Sequence, residues 1–179
     1  MVHDPPAEPP QVEGYDEQTA ALTAEEQARL AAAAIDASEL DLGAWTVTVV
    51  SEDSAAAKRA ARILVAFYIS SMPEEQLARH GIEASELAPV VEALGAGDIP
   101  KAVELFTPEY SEKLSLAGTP EEVVEKIQSD IEPAGVNHMI LALSDPHLVN
   151  FFTGETVENV PDIRGQLKLV ADRVMPAFA

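Results

Sequence analysis

Two short runs in this chain are apolar on both sides, and helical patterns surround them. Residues 45–50 (WTVTVV) are β-branched almost throughout and follow Gly43. In an extended chain Trp45, Val47 and Val49 project to one side and Thr46, Thr48 and Val50 to the other. Neither side carries a charge, which predicts a strand covered on both faces, as in a parallel sheet. Residues 138–143 (HMILAL) form the second such run, after a turn at Gly135 and before the breaking sequence Ser144-Asp145-Pro146.

Between and around these strands the spacing is helical. Ser51-Glu52-Asp53 ends the first strand and caps a helix over about residues 54–71, whose second half (ILVAFYI, 63–69) is apolar all round and so predicted to be buried. Short helices follow. One starts at Pro73 and stops near Gly81, and another carries Leu87, Val90, Val91 and Leu94 at i, i+3, i+4, i+7. A third is capped by Asp98, with Val103 and Phe106 inward, and a fourth opens at Thr107-Pro108. Thr119, Pro120 and Glu122 are a capping box with proline at the first helical position, leading into Val123, Val124, Ile127 and Ile131. The segment after Pro146 reads as an irregular acidic loop. A last helix, about 162–175, is predicted to bury Ile163, Leu167, Val170 and Val174. At the other end, Thr23 and Glu26 have capping-box spacing, Leu22, Leu30, Ala34 and Ile35 supply part of an apolar face, and residues 1–16 read as a proline-rich acidic tail ahead of a domain over 17–179.

Composition narrows the function classes. The 179 residues carry 31 acidic against 11 basic side chains, a net charge of -20, and the acids are spread along nearly the whole chain. Such a surface repels nucleic acid and anionic membranes, so neither is an expected partner. It fits a soluble protein of halophilic type, whose self-repulsion is screened by salt. There is no cysteine, hence no disulfide and no thiolate chemistry. No apolar run approaches the roughly 20 residues of a membrane span, and the expected location is cytoplasmic. The four histidines show no metal-ligand spacing, and no phosphate-binding glycine loop or nucleophile elbow is present.

Two parallel strands alone are not a viable sheet, because parallel strands need neighbours and both faces covered. The pattern therefore predicts part of a larger α/β assembly, and open strand edges that pair with something else.

Residues 61–67 (ARILVAF), 77–82 (LARHGI), 115–124 (SLAGTPEEVV) and 134–136 (AGV) carry a resemblance. They resemble the C-terminal portion of the coenzyme F420-dependent methylenetetrahydromethanopterin reductases, within the luciferase-like monooxygenase superfamily. The resemblance implies a (β/α)8 TIM barrel, of which this chain would supply about the last two strands plus a helical insertion: an incomplete, helix-rich barrel. It implies hydride transfer from reduced F420 to a pterin-linked one-carbon unit, with FMN or another substrate as the alternative within the superfamily. It implies as partner either the missing N-terminal barrel half or further copies of the chain. The catalytic acids of the family belong to the portion not represented here, so no catalytic residue is carried over. A non-catalytic assembly module and a gene remnant are the readings from other classes.

In a βα barrel the site lies at the C-terminal ends of the strands. That placement selects Thr48, Ser51, Ser144 and Asp145, although Ser51 and Asp145 also have the positions of helix caps and Thr48 that of ordinary strand filler. Phe67 and Tyr68, in the long excursion between the strands, are expected to line a substrate channel or to pack against a neighbour. Arg79 and His80 end a short helix, where cations complement the carbonyl end or meet an anionic part of cofactor or substrate. His138 is expected at the opposite end of its strand in a structural role.

Overall fold

A computed structural model describes residues 28, 29, 33 and 40–179. The predicted tail lies outside the described residues, as does most of the helix beginning at Thr23, of which Ala28 and Arg29 are helical. The described chain runs β1 (Gly43–Val50), α1 (Ser54–Ile69), α2 (Glu74–Arg79), α3 (Ala84–Gly95), α4 (Ile99–Leu105), α5 (Pro108–Leu114), β2 (Ser115–Gly118), α6 (Pro120–Lys126), β3 (His138–Leu143), α7 (Pro146–Thr153) and α8 (Ile163–Leu169). Helix α6 continues into a π-helical turn, Ile127–Ile131, and α8 into another, Val170–Val174.

Two expectations are corrected here. The sheet has three strands rather than two, because Ser115–Gly118 pairs with β1 as a four-residue strand. A run that short, ending in glycine, has no periodicity to reveal it; its edge pairing comes from tertiary context. The segment after Pro146 is not an irregular loop but helix α7, capped by Asp145, which accepts from the His147 N–H at 2.8 Å, and closed at left-handed Gly154.

All three strands are parallel, in the order β2-β1-β3. The register sets Val47 beside Ser115 on one edge and Ala142 on the other. In a barrel wound strand by strand, each strand lies between its chain neighbours; here the first strand is central. The path steps from β1 to β2, then returns past β1 to β3. Right-handed crossovers put the helices of two such opposed connections on opposite faces. The packing follows that rule. On one face Val47 and Val49 pack with α1 through Ala56, Ala57, Ala60, Ala61 and Ile63, over a cluster that extends to Phe106 and Val149. On the other, Val50 and Leu116 pack with Val123 and Ile127 of the α6 segment and with Val170 and Val174.

The stretch of small residues in α1 lets the helix lie close on the sheet; its four alanines there have no solvent exposure. The capping box of α6 is present: Thr119 Oγ1 accepts from Glu122 N–H at 3.3 Å and Glu122 Oε2 accepts from Thr119 N–H at 2.7 Å. Gly118 leaves the space in which the Glu122 carboxylate sits, since a Cβ there would collide with it. In the last helix Val170 and Val174 are buried as predicted, but Ile163 and Leu167 are 40% and 53% exposed. The residue of that helix with no exposure is Gln166.

Candidate functional site

In a parallel α/β sheet a crevice lies beyond the C-terminal ends of the strands. In this chain β1 and β3 end side by side there, at Ser51 and Ser144. Both serines are fully buried. Ser51 N–H donates to Gly118 O at 3.1 Å, its hydroxyl donates to Asn159 O at 2.5 Å, and the same Oγ accepts from Asp53 N–H at 3.0 Å. Ser144 N–H donates to Thr48 O at 3.2 Å and its hydroxyl to Ala60 O at 3.3 Å.

Gln166 fills the crevice. After the rung from Ser144 N–H to Thr48 O, the parallel ladder would next join Val50 N–H to Ser144 O. The strands have separated there, and the Gln166 amide stands in the gap. Its Oε1 accepts from Val50 N–H at 3.3 Å, and its Nε2 donates to Ser144 O at 2.8 Å and to Pro161 O at 3.0 Å. A side chain thus supplies the last rung. Asp162 holds the helix in position by capping α8, accepting from Gly165 N–H at 2.8 Å.

Around this clasp the surface is acidic. Asp53 caps α1, accepting from Ala56 N–H at 3.0 Å, and its other oxygen accepts from the Asn159 amide at 3.0 Å. The Ala56 N–H first, and the Asn159 amide second, hold the Asp53 carboxyl below its ordinary range. Asn159 has φ of 66°, a left-handed conformation that asparagine tolerates better than most residues. Arg173 bridges Glu52 and Glu121, the latter at 2.5 Å, and its hydrogen bond holds the Glu121 carboxyl below its ordinary range.

The predicted site residues fall in separate places. Ser51, Ser144 and Asp145 come together at this end. Thr48 lies in the sheet beneath them, fully buried, its hydroxyl donating to Thr46 O at 3.0 Å. Phe67 and Tyr68 stand at the far end of α1, beside the N-terminal half of β1, where the Tyr68 ring meets Trp45 edge-on with centroids 4.5 Å apart. Arg79 is exposed in the last turn of α2. His80 borders a cavity of about 80 Å³ with Thr46, Lys113, Ser115, Lys126 and Asp130, at the N-terminal ends of the strands. There Lys126 donates to Ser115 O at 3.0 Å, Lys113 O at 3.1 Å and also to Glu112 O, capping the carbonyl end of α5. Burial lowers the pKa of its ammonium. His138 pairs with Asp41 at 2.6 Å at that same end, as its place in the strand predicted.

Gln166 and Asn159 were not selected from the sequence. Gln166 had a signal: it stands four residues before Val170 and eight before Val174, on the stripe that those valines bury. Asn159 had none beyond its place in a loop.

The luciferase-like monooxygenase family model matches residues 13–138. The chain belongs to the luciferase-like monooxygenase family. Among curated relatives in that family, it is 32% identical over 154 residues to the 5,10-methylenetetrahydromethanopterin reductase of Methanopyrus kandleri, covering 86% of this chain and 39% of that protein. It is 33% identical over 117 residues to the reductase of the same name from Archaeoglobus fulgidus, covering 63% and 35%. The solved structure of the coenzyme F420 dependent tetrahydromethanopterin reductase from Methanopyrus kandleri superposes with a TM-score of 0.69 at 31% identity, over 87% of this chain and 40% of that one. This luciferase-like chain therefore spans about two fifths of the length of the Methanopyrus kandleri reductase. Its helix-rich α/β fold with a parallel sheet matches that reductase fold, and among the described residues no helix is long and apolar enough to cross a membrane.

Proposed function

We propose that this chain forms part of an F420-dependent reductase that passes a hydride from reduced F420 to the methylene carbon of a pterin-linked one-carbon unit, reducing it to a methyl group. The observation that carries this reading is sequence and fold likeness to the same named reductase in one relative, 32% by sequence and 0.69 by TM-score. In this reading the crevice end of the sheet is a wall of the pocket, in keeping with the position of sites at the C-terminal ends of parallel strands.

The described side chains at that end do not make a cradle for F420 by themselves. Ser51, Ser144 and Gln166 are buried with their polar atoms already engaged. Glu52, Asp53, Glu121 and Asp145 are acids, while the cofactor has an anionic tail, and Arg173 is held by Glu52 and Glu121. The groups that receive the cofactor therefore lie outside these described side chains, and in this reading they belong to the N-terminal βα units of a barrel that this chain would complete. The residues here hold the strand ends in register and exclude water beneath the pocket.

The test is a chimera in which this chain replaces the matching segment of the Methanopyrus kandleri reductase, assayed for F420 binding by fluorescence and for oxidation of reduced F420 with the methylene substrate. Substrate-dependent oxidation is the expected result. A folded chimera that binds F420 but does not oxidise it with that substrate would overturn the substrate assignment, and one that does not bind F420 would overturn the cofactor assignment.

A further inference from the structure

The pocket at the N-terminal ends of the strands has polar groups that are not all spent. It lies where the first half of β1 and the start of β2 meet α6 and the last turn of α5, and holds about 80 Å³. One water needs roughly 10–15 Å³ of cavity, so the space takes several waters or one small polyatomic ion. Thr46 lines it from β1. This residue is only 8% exposed, and its Oγ1 is buried with no hydrogen-bond partner among the described residues. Thr48, on the same face of the strand, has its hydroxyl engaged on Thr46 O. A buried hydroxyl left without a partner is costly and uncommon, and points to a bound group that completes it.

The charged groups around the pocket say which group. Lys113 reaches it from the end of α5. One of its three N–H groups donates to His80 O at 3.3 Å, which leaves two for a ligand. Lys126 has its three N–H groups on the carbonyls of Glu112, Lys113 and Ser115, so it offers charge rather than hydrogen bonds. Burial lowers the pKa of that ammonium, and Asp130 and Glu112 only partly offset the effect. An anion in the pocket would stabilise the charge further. The one carboxylate in the lining is Asp130. Its Oδ1 accepts from Ser129 Oγ at 2.6 Å, which leaves Oδ2 to accept from something else.

Two ammonium groups and a hydroxyl call for an anion, and the carboxylate calls for an anion that carries a proton. We propose that this pocket binds inorganic phosphate as the hydrogenphosphate ion. Its charged oxygens accept from Lys113 Nζ and from the Thr46 hydroxyl, in the field of Lys126, and its P–O–H donates to Asp130. Hydrogenphosphate keeps that proton above neutral pH. Sulfate has the same shape and charge but no proton, and a phosphate monoester loses its last one above a pKa of about 6. Either would set a bare oxygen against the carboxylate. The net charge of -20 repels anions from most of the surface, and here two of the 11 basic residues lie together. The side chains of Lys113 and Asp130 are exposed, so the ion can enter from solvent between them.

The experiment is calorimetric titration of the full chain at about pH 8 in about 1 M potassium chloride, where the Debye length is about 3 Å and long-range repulsion is screened. The titrants are inorganic phosphate, sulfate and glycerol 3-phosphate. One saturable site for inorganic phosphate is expected, with sulfate and the monoester at least tenfold weaker and a melting temperature that rises with phosphate concentration. Thr46→Val removes the hydroxyl with little change of shape. It is expected to weaken phosphate binding at least tenfold, while its melting temperature without phosphate is no lower than the parent's, because no hydrogen bond is lost. Lys113→Gln, at an exposed position, is expected to weaken binding as much and serves if Thr46→Val fails to fold. Asp130→Asn is expected to let sulfate bind within about threefold of phosphate, since an amide can donate to it. Lys168→Gln, which removes an exposed cation paired with Asp172, is expected to change nothing. A parent chain that shows no saturable phosphate binding, or binds sulfate or the monoester as tightly, would overturn the proposal. So would unchanged affinity in Thr46→Val or Lys113→Gln, or a preference for phosphate that survives Asp130→Asn.

Discussion

Replacing Gln166 with leucine tests the clasp at the end of the sheet. Leucine has nearly the volume of glutamine but can neither donate nor accept. The substitution leaves Val50 N–H, Ser144 O and Pro161 O without the partner they have now. Each buried polar group left unpaired costs about 1–3 kcal/mol. The Val50 contact is long at 3.3 Å and belongs at the low end of that range, and Ser144 O at 2.8 Å at the higher end. Set against these costs is the gain from burying an apolar side chain in place of an amide. The net loss expected for Gln166→Leu is about 3–4 kcal/mol, a large part of the roughly 5–15 kcal/mol that holds a domain folded. For a chain of this size it lowers the melting temperature by about 10 °C.

Gln166→Glu separates hydrogen bonding from packing. A carboxylate can accept from Val50 N–H but faces two carbonyl oxygens with no hydrogen to offer. Burial and those carbonyls favour the protonated acid, so its folded pKa stands above its unfolded value. The sign follows: stability is greatest below the unfolded pKa, where the acid is neutral in both states, and is lost as pH rises toward and through the folded pKa. Urea unfolding of parent, Gln166→Leu and Gln166→Glu in about molar salt, at pH 7 and near pH 5, measures all of this. If Gln166→Leu costs less than about 1 kcal/mol, or the glutamate variant loses rather than regains relative stability on acidification, the ladder-rung account is wrong.

Three further outcomes are expected. Thr119→Ala removes the acceptor for Glu122 N–H and lowers stability by about 1 kcal/mol in thermal melts, while Thr119→Ser keeps most of it. Lys126→Met strips the carbonyls at the end of α5 of their shared donor and costs about 2 kcal/mol by urea unfolding; a neutral or stabilising result would show that relieving the buried charge outweighs the lost cap. Asp53 and Glu122 both have folded pKa values below their ordinary ones. Their contribution is therefore present above the unfolded values and is lost as pH falls through the folded ones. Melting temperature is expected to drop as pH falls below about 4, and less steeply in Asp53→Asn.

Local chemistry determined a good deal of this protein without any tertiary information. The residues of β1 and β3 could be recognised because they are β-branched or apolar on both sides, a property each run carries within itself. The α6 cap could be recognised because Thr119, Pro120 and Glu122 interact within one helical turn. The net charge argued against nucleic acid as a partner, and the phrases around residues 61–82 and 115–136 pointed to the family that the comparison confirms. What was not legible depends on partners distant in the chain. Ser115–Gly118 is a strand only because β1 offers its edge. Ile163 and Leu167 keep helical spacing but face water, because the clasp turns Gln166 inward. The order β2-β1-β3 is a choice of which edge β3 takes, and a strand apolar on both faces reads the same on either edge. Tertiary structure alone decided that choice, and with it the crevice that Gln166 fills, the separation of the predicted site residues, and the gathering of Thr46, Lys113, Lys126 and Asp130 from three separate segments around one pocket.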